Sequence, residues 1–383
     1  MKITAVECHL LWIDTTRLNW IFTLVRTDAG ITGLSGVIMR RHEFTVREAI
    51  LELADYLVGK DPLLREEHFE KQYRDGFWVG GALFATALSA VDLAMWDIAG
   101  QAVGVPVHSL LGGACRDRIR VYCGIHGGSP EEAAEAALRA VAAGYTAVKT
   151  SPLPDPAHFG PHHKETDPLS NAAIRSGVRQ IEAIRRAVGD GVDIAIDAHG
   201  RLSPVNALRV ANALADYGLL FFEEPVPPES VSALRFVHER SPIPIASGER
   251  MHTIYGARDF IEAEALAIVQ ADLVNTGGYT QYKKIAAMAE AHYLSVAPHN
   301  PNGPLPTLEN VQLCAAIPNF LILEHVPDWH NPSWVGELLT HPAQLVDGHL
   351  LVPDGPGIGT AINEPVLHDL IRRYPPQQSR GTR

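Results

Sequence analysis

The strongest constraint on the fold is a series of short apolar runs that begins near residue 119. Eight runs occur, and each is followed by a stretch with helical periodicity. Strands that are apolar on both faces are typical of a parallel sheet covered by helices. Eight such units in roughly 230 residues favour a closed α/β barrel over an open doubly wound sheet. The runs are RVYCG, TAVKT, VDIAID, LLFFE, IPIAS, IVQAD, LSVAP and FLILE.

The chain before this region predicts a smaller α+β unit. Residues 3–12 and 20–27 are rich in β-forming side chains, and a buried helical face is formed by Leu88, Val91, Met95 and Ile98. The tail from about residue 346 returns to strand and turn residues. We therefore expect an N-terminal domain over 1–117, a barrel over 118–345, and a tail over 346–383 that packs against the N-terminal domain.

Three local patterns add detail. The sequence Thr45-Val-Arg-Glu48 has the form of a capping box and predicts a helix start. Ser129 followed by Pro130 and Glu132 predicts another. Residues 151–171 carry several Pro and His without periodicity, and a loop of this length inside a compact domain is typical of a functional segment.

Charge and composition exclude several classes of partner. The net charge of −12 argues against a nucleic acid or an anionic membrane surface. The first residues lack the form of a signal peptide, and no uninterrupted apolar run approaches the length that spans a bilayer. The four cysteines show no C-x-x-C spacing, which favours reduced structural thiols in a cytoplasmic protein.

Three carboxylates follow three successive apolar runs. Asp197 ends VDIAID, Glu223 ends LLFFE, and Glu249 follows IPIAS, with 26 residues between neighbours. One strand–helix unit separates each pair, so all three belong at the carboxyl rim of the barrel, where barrel active sites form. Converging carboxylates repel unless a cation lies among them. An all-oxygen ligand set with room for water predicts magnesium.

Two histidines are candidates for proton transfer. Asp272 ends IVQAD and His299 follows LSVAP one unit later, so a carboxylate would orient an imidazole that acts as a general base. The alternative is a core histidine held by a backbone carbonyl. His199 lies two residues after Asp197, and the two-residue period of a strand would point both side chains the same way. It is either a further metal ligand or, as we prefer, a proton donor.

Further charged residues lie at the same rim. Lys149 lies at the end of TAVKT, one residue before its last, and would stabilise a substrate carboxylate, and Glu324 ends FLILE. Arg250 follows Glu249 and either binds substrate or holds the carboxylate rim; the sequence favours neither.

These residues together resemble a known family. Asp197 with His199, FFEEPV, SGER, APHNPNGP and the tail VPDGPGIG are similar to the mandelate racemase group of the enolase superfamily, and most similar to its D-galactonate dehydratase-like members. The resemblance implies a modified (β/α)8 barrel of the (β/α)7β type, with an α+β capping domain formed by the N-terminal region and the tail. It also implies a homo-oligomer and a small sugar acid as substrate.

The resemblance also implies roles in a dehydration. Asp197, Glu223 and Glu249 would bind Mg²⁺, which would hold the substrate carboxylate. His299, paired with Asp272, would remove the adjacent proton, and Lys149 and Glu324 would stabilise the enediolate. His199 would protonate the departing 3-hydroxyl and yield a 2-keto-3-deoxy acid.

One departure separates the chain from racemases of the group, which resemble it in this strand but carry Lys-x-Lys. Here Lys149 is followed by Thr150 and Ser151, and Ser151 cannot act as the second base. This favours a lyase. The alternatives are an epimerase that uses His199 and His299 as opposed bases, and a catalytically silent sugar-acid binder. By analogy, cap loops near 17–20 and 77–81 would close over the substrate.

Overall fold

The computed structural model describes residues 1–153, 169–327 and 330–378, so most of the long loop predicted at 151–171 lies outside the described residues. The strands are β1 (Ile3–Ile13), β2 (Leu18–Thr27), β3 (Thr32–Val37), β4 (Arg118–Gly124), β5 (Ala147–Thr150), β6 (Asp193–Asp197), β7 (Phe222–Glu223), β8 (Ile245–Ser247), β9 (Ile268–Val269), β10 (Ser295–Val296), β11 (Leu323–Glu324), β12 (Leu345–Val346) and β13 (His349–Leu351).

Four of the described helices follow β3 in succession, and from β4 to β11 helices alternate with the strands. They are α1 (Glu43–Leu57), α2 (Arg65–Asp75), α3 (Ala82–Val103), α4 (Val107–Leu110), α5 (Pro130–Ala142), α6 (Asn171–Val188), α7 (Pro204–Ala213), α8 (Val231–His238), α9 (Thr253–Glu262), α10 (Gly278–Ala291), α11 (Pro304–Ala316), α12 (Val335–Leu338) and α13 (Glu364–Arg373), with a short 3-10 helix at Ala215–Tyr217.

Strands β4 to β11 form the barrel. They pair in parallel in the order β10-β9-β8-β7-β6-β5-β4, and β11 pairs with the other edge of β4. A parallel bridge between Val296 and Phe320 joins β10 to the segment before β11, so the sheet closes. Strands β4 to β10 are each followed by a helix of eight residues or more, and β11 by the four-residue α12. The predicted (β/α)7β barrel is confirmed.

The N-terminal region forms a separate antiparallel sheet, β1-β2-β3, on which α1 and α3 pack. The capping-box prediction at Thr45 is wrong. Helix α1 already begins at Glu43, and His42 precedes it without a side-chain capping hydrogen bond. The start predicted at Ser129 is confirmed, because the Ser129 hydroxyl accepts the Glu132 N–H at the beginning of α5.

The tail contacts both units. Strand β13 pairs antiparallel with the first half of β4, which extends the barrel sheet rather than the N-terminal one. Farther along, Glu364 at the start of α13 forms a 2.7 Å ion pair with Arg26 of β2. The Trp12 N–H donates to the Tyr374 carbonyl. We keep 1–117 with 346–383 as the proposed capping domain and 118–345 as the proposed barrel domain.

Helix α3 is long and apolar enough, by length and composition, to cross a membrane. Asp92 and Asp97 interrupt its apolar sequence, and 78% of its most apolar 18-residue window is buried within the fold. This is the pattern of a core helix.

Polar contacts join α3 to the start of α10 on the barrel. The Ser89 hydroxyl accepts the N–H groups of Gly277 and Gly278 at 2.8 and 3.0 Å. The Asp92 carboxylate accepts the N–H and the hydroxyl of Thr280. Gly278 has φ +70°, and a Cβ there would lie 2.3 Å from Asp92 Oδ2, so glycine is required at this contact. The capping unit and the barrel therefore share a buried polar interface.

Candidate active site

The charged residues predicted from the sequence lie together at the carboxyl end of the barrel. Lys149, Asp197, Glu223 and Glu324 occupy the ends of β5, β6, β7 and β11. Glu249 follows β8 after one glycine. Asp272 and His299 lie three residues beyond β9 and β10, where a parallel bridge joins them. The parallel sheet thus brings seven side chains, distant in sequence, to one rim.

The Lys149 ammonium lies within a ring of carboxylates. Its Nζ is 2.7 Å from Glu223, 2.9 Å from Glu324 and 3.6 Å from Asp197. Burial alone lowers the pKa of Lys149, but Glu223 and Glu324 raise it well above its ordinary value. Lys149 therefore stays cationic. The Lys149 ammonium is therefore already paired with acidic side chains of the protein before any substrate carboxylate binds.

Glu324 is a carboxylate at neutral pH. Burial raises its pKa, but Lys149 and His299 outweigh burial and bring the pKa of Glu324 down to about 2. One of its oxygens also accepts the N–H of Asn300 at 3.1 Å. An ionised carboxylate accepts hydrogen bonds and cannot donate one to a developing enediolate.

His299 and Asp272 form a hydrogen-bonded dyad. His299 Nδ1 is 2.7 Å from Asp272 Oδ2, and its other nitrogen, Nε2, is 3.1 Å from Glu249 Oε2. Burial alone lowers the pKa of His299, but Glu249 and the hydrogen bond to Asp272 raise it well above its ordinary value. Asp272 thus orients the imidazole through Nδ1, and Nε2 faces Glu249, one of the predicted metal ligands.

His199 reaches Asp197 by a different route from the one predicted. Strand β6 ends at Asp197, and His199 adopts a left-handed backbone conformation with φ 50°. Its N–H donates to Asp197 Oδ1 at 2.7 Å, and its Nε2 lies 3.2 Å from Oδ2. The argument from strand period was therefore wrong, because a tight turn sets the contact. The side chain is 49% exposed and open to the rim.

Arg250 holds the acidic rim. Its guanidinium makes a two-pronged hydrogen bond to Glu224, with Nε at 3.1 Å and Nη2 at 2.6 Å. A Cβ at Gly200 would lie 2.1 Å from Arg250 Nη2, so this glycine leaves room for the guanidinium. Burial, followed by the charge of Glu249, raises the pKa of Glu224 to about 8. Between the two roles left open by the sequence, the geometry favours support of the rim.

Two histidines at the rim were missed by sequence reasoning. His126 lies two residues beyond β4, and the preceding Ile125 N–H donates to the Lys149 carbonyl at 2.8 Å. Burial lowers the pKa of His126, and the nearby His330 and His199 lower it further. His330 is tied to the N-terminal region through its carbonyl, which accepts the Thr15 hydroxyl. The strand before His126 has no acidic end, and His330 lies six residues beyond Glu324, so no motif marked either histidine.

The two predicted cap loops differ in secondary structure and in exposure to solvent. Trp20, expected in a loop, is a buried residue of β2 whose ring contacts Gly303, next to the dyad. By contrast, Phe77 and Trp78 are 82% and 85% exposed in the segment between α2 and α3. Arg17 lies in the turn before β2 with φ 56°. Of these two loops, only the second presents large apolar side chains to solvent.

The donor set fits a hard cation, although no three His, Cys, Asp or Glu side chains stand in ligand geometry among residues 1–153, 169–327 and 330–378. Glu223 is fully buried, yet its Oε1 has no hydrogen-bond partner within the described structure. A buried carboxylate oxygen in this state is costly unless it binds a cation. Asp197 and Glu249 lie close enough to raise the pKa of Glu223 further, after burial. Carboxylate oxygens are the ligands that Mg²⁺ prefers.

A cavity of about 480 Å³ lies elsewhere, between the N-terminal sheet and the tail. Its acidic residues are already paired. Asp97 accepts the N–H groups of Leu34 and Ile358, and Glu364 binds Arg26. We therefore place the site at the barrel rim, where the unpaired acceptor and the oriented imidazole occur.

Comparison with known proteins agrees with this architecture. Residues 12–112 match the family described as mandelate racemase / muconate lactonizing enzyme, N-terminal domain, and residues 132–366 match the enolase C-terminal domain-like family. A solved structure of a member of the enolase superfamily from Salmonella Typhimurium has a TM-score of 0.90 and 31% identity, covering 96% of this chain and 97% of that one.

Two curated relatives are sugar-acid dehydratases by name. A D-galactonate dehydratase of Ralstonia nicotianae is 34% identical, over 98% of this chain and 96% of its own. A D-xylonate dehydratase of Haloferax volcanii is 34% identical, over 93% of this chain and 87% of its own. With both parts of the family model matched in order, and relatives aligned over nearly the full length, the chain belongs to the mandelate racemase / muconate lactonizing enzyme family of the enolase superfamily.

Proposed function

We propose that this protein catalyses the magnesium-dependent dehydration of an aldonate-type sugar acid to its 2-keto-3-deoxy acid. The chain is a hydro-lyase of the sugar-acid dehydratase class, as its sequence predicts and the names of its relatives support. The observation that carries the mechanism is the His299–Asp272 dyad, whose second imidazole nitrogen, Nε2, faces Glu249 in the carboxylate cluster at the rim.

Asp197, Glu223 and Glu249 would hold the Mg²⁺ ion. The unpartnered Glu223 Oε1 and the all-oxygen donor set support this assignment. When bound, the ion would attract the substrate carboxylate and offset the negative charge that develops on it. Lys149, already fixed by Glu223 and Glu324, adds positive charge at the same place. Because Glu324 is ionised, we assign it to the orientation of Lys149 rather than to direct contact with an enediolate.

His299 would act as the base. Nε2 faces Glu249 at 3.1 Å in this structure. With Nδ1–H donated to Asp272 and with Glu249 engaged as a metal ligand, Nε2 would accept the proton from the carbon next to the substrate carboxylate. The electron pair of that C–H bond becomes the carbon–carbon double bond as the C3–oxygen bond breaks. His199 would deliver a proton to the departing hydroxyl, which leaves as water. The resulting enol takes a proton at C3 and becomes the 2-keto product.

The reaction is tested by supplying Mg²⁺ and a panel of five- and six-carbon aldonates and following 2-keto-3-deoxy acid formation. We expect turnover of at least one acid and its loss in His299→Asn. Reactions in heavy water separate the alternative, because an epimerase would return only a labelled diastereomer. A panel without any keto product would refute the proposal. The homo-oligomeric state implied by the family stays a prediction, and size-exclusion chromatography with light scattering measures it.

A further inference from the structure

Asn302 contacts the dyad without reaching the rim itself. It lies in the turn between β10 and α11 and is 5% exposed. Its Nδ2 donates to Asp272 Oδ2 at 2.8 Å, the same oxygen that His299 Nδ1 contacts at 2.7 Å. One carboxylate oxygen therefore receives the base and a neutral amide together.

The other oxygen of Asp272 is held by the backbone. Oδ1 accepts the N–H of Val274 at 2.9 Å. Asp272 is fully buried, so water does not readily replace a lost donor. With Asn302 present, the plane of the carboxylate is fixed by a donor from each side in addition to His299. Without it, Oδ2 keeps only the imidazole, and the carboxylate and the ring can turn together.

Asn302 is held by the fold and needs no substrate to stay in place. The following Gly303 has φ +93°, and a Cβ there would lie 2.9 Å from the ring of Trp20, so the turn packs closely against β2. On the other side, the Asn300 amide donates to the Thr307 hydroxyl and to the Glu324 carbonyl. The amide of Asn302 is thus aimed at Asp272 before any ligand binds.

We propose that Asn302 is a positioning residue for the general base: it locks the Asp272 carboxylate so that His299 keeps its proton on Nδ1 and presents Nε2 to the substrate. This inference rests on the proposed function in taking His299 as the base. A neutral, buried amide thus supports proton abstraction, although no acidic or histidine motif in the sequence points to Asn302.

The test compares Asn302→Ala and Asn302→Asp with Asn319→Ala. Asn319 is the control, because its amide also donates to acceptors of the fold, the carbonyls of Ala286 and Leu294, but lies away from the rim. Asn302→Asp keeps the shape but offers Asp272 no N–H donor. We expect both Asn302 variants to lose kcat by about 10- to 100-fold, as for other residues that orient a ligand or base, with KM within about twofold.

The kinetic isotope effect distinguishes positioning from loss of structure. With substrate deuterated at C2, the effect on kcat should rise in the Asn302 variants and stay unchanged in Asn319→Ala. Wild-type kcat in Asn302→Ala would overturn the inference, and so would an equal loss in Asn319→Ala.

A second readout does not depend on turnover. In protein labelled with 15N-histidine, the His299 Nδ1–H resonance is identified by its absence in His299→Asn. We expect it to exchange faster with water in Asn302→Ala, because the carboxylate is no longer fixed. Unchanged exchange would overturn the inference even if the wild type dehydrated no sugar acid, whereas such inactivity alone would count only against the proposed function.

Discussion

The buried carboxyl group of Asp92 makes the free energy of unfolding depend on pH. Replacing this one residue should remove that part of the pH dependence. Asp92 lies on α3, is 1% exposed, and accepts the Thr280 N–H at 3.1 Å across the interface with the barrel. Burial, only partly offset by the hydrogen bonds from Thr280, raises its pKa from 3.8 to about 7. The folded protein therefore binds this proton more tightly than the unfolded chain.

The sign and size follow from proton linkage. A raised pKa in the folded state contributes stability that is complete below the unfolded pKa and is lost as the pH rises through the folded pKa. With the two pKa values given above, roughly 2–3 kcal/mol of this contribution disappears between about pH 5 and about pH 8. Asp92→Asn cannot ionise. The Asn side chain also offers one acceptor oxygen fewer, which changes the free energy of unfolding by an amount that does not vary with pH.

Urea denaturation of the wild type and of Asp92→Asn at several pH values measures the effect. We expect the variant to gain about 2–3 kcal/mol relative to wild type as the pH is raised from about 5 to about 8. Burial also raises the pKa of Asp97 to about 7, but Asp97 is present in both proteins and cancels. Asp55→Asn, an exposed carboxylate on α1, controls for the loss of one charge. Parallel stability curves for wild type and Asp92→Asn would refute the reasoning.

Two further predictions concern the rim. Chelation of divalent cations should abolish turnover and lower the melting temperature, and added Mg²⁺ should restore both, because Asp197, Glu223 and Glu249 repel one another without a cation. Calorimetry with and without Mg²⁺ measures the melting temperature. A melting temperature that does not change with Mg²⁺ would contradict the prediction. We expect the His126 ring, which lies near His199 at the rim, to hydrogen-bond the substrate. His126→Asn should therefore raise KM for the accepted sugar acid by roughly 3- to 10-fold, the worth of about one neutral hydrogen bond, with kcat within about twofold. Steady-state kinetics measures both constants, and an unchanged KM would show that His126 does not contact substrate.

The barrel was predictable because its strands are buried on both faces, and the physical requirement for apolar side chains on every such strand leaves a repeated signal in the sequence. The same repeat sets the spacing of Asp197, Glu223 and Glu249, since one strand–helix unit separates neighbouring strand ends. The capping box at Thr45 failed for a local reason. Residues of the first helical turn resemble a cap, and the actual boundary at His42 carries no capping side chain.

The remaining parts of the site depend on contacts that chain spacing does not encode. His126 follows the first barrel strand and His330 follows the last, so closure of the barrel through the β4–β11 pairing brings their segments together. The contact of His199 with Asp197 depends on a left-handed residue, and that of Asn302 with Asp272 on the direction of a side chain in a turn. Sequence pattern identified the strand ends and placed His199 beside Asp197, but it missed the turn that makes this contact and the contact of Asn302 with Asp272.

The contacts between α3 and α10 limit how a substrate can enter. Swinging the capping unit away from the barrel would expose Ser89 and Asp92 together with the N–H groups that they hold, those of Gly277 and Gly278 on Ser89 and that of Thr280 on Asp92. Such a hinge would break several buried hydrogen bonds at once, each worth about 1 kcal/mol. We therefore expect substrate entry to depend on movement of short segments, such as the one between α2 and α3 with its exposed Phe77 and Trp78. The capping unit and the barrel would stay in contact throughout catalysis.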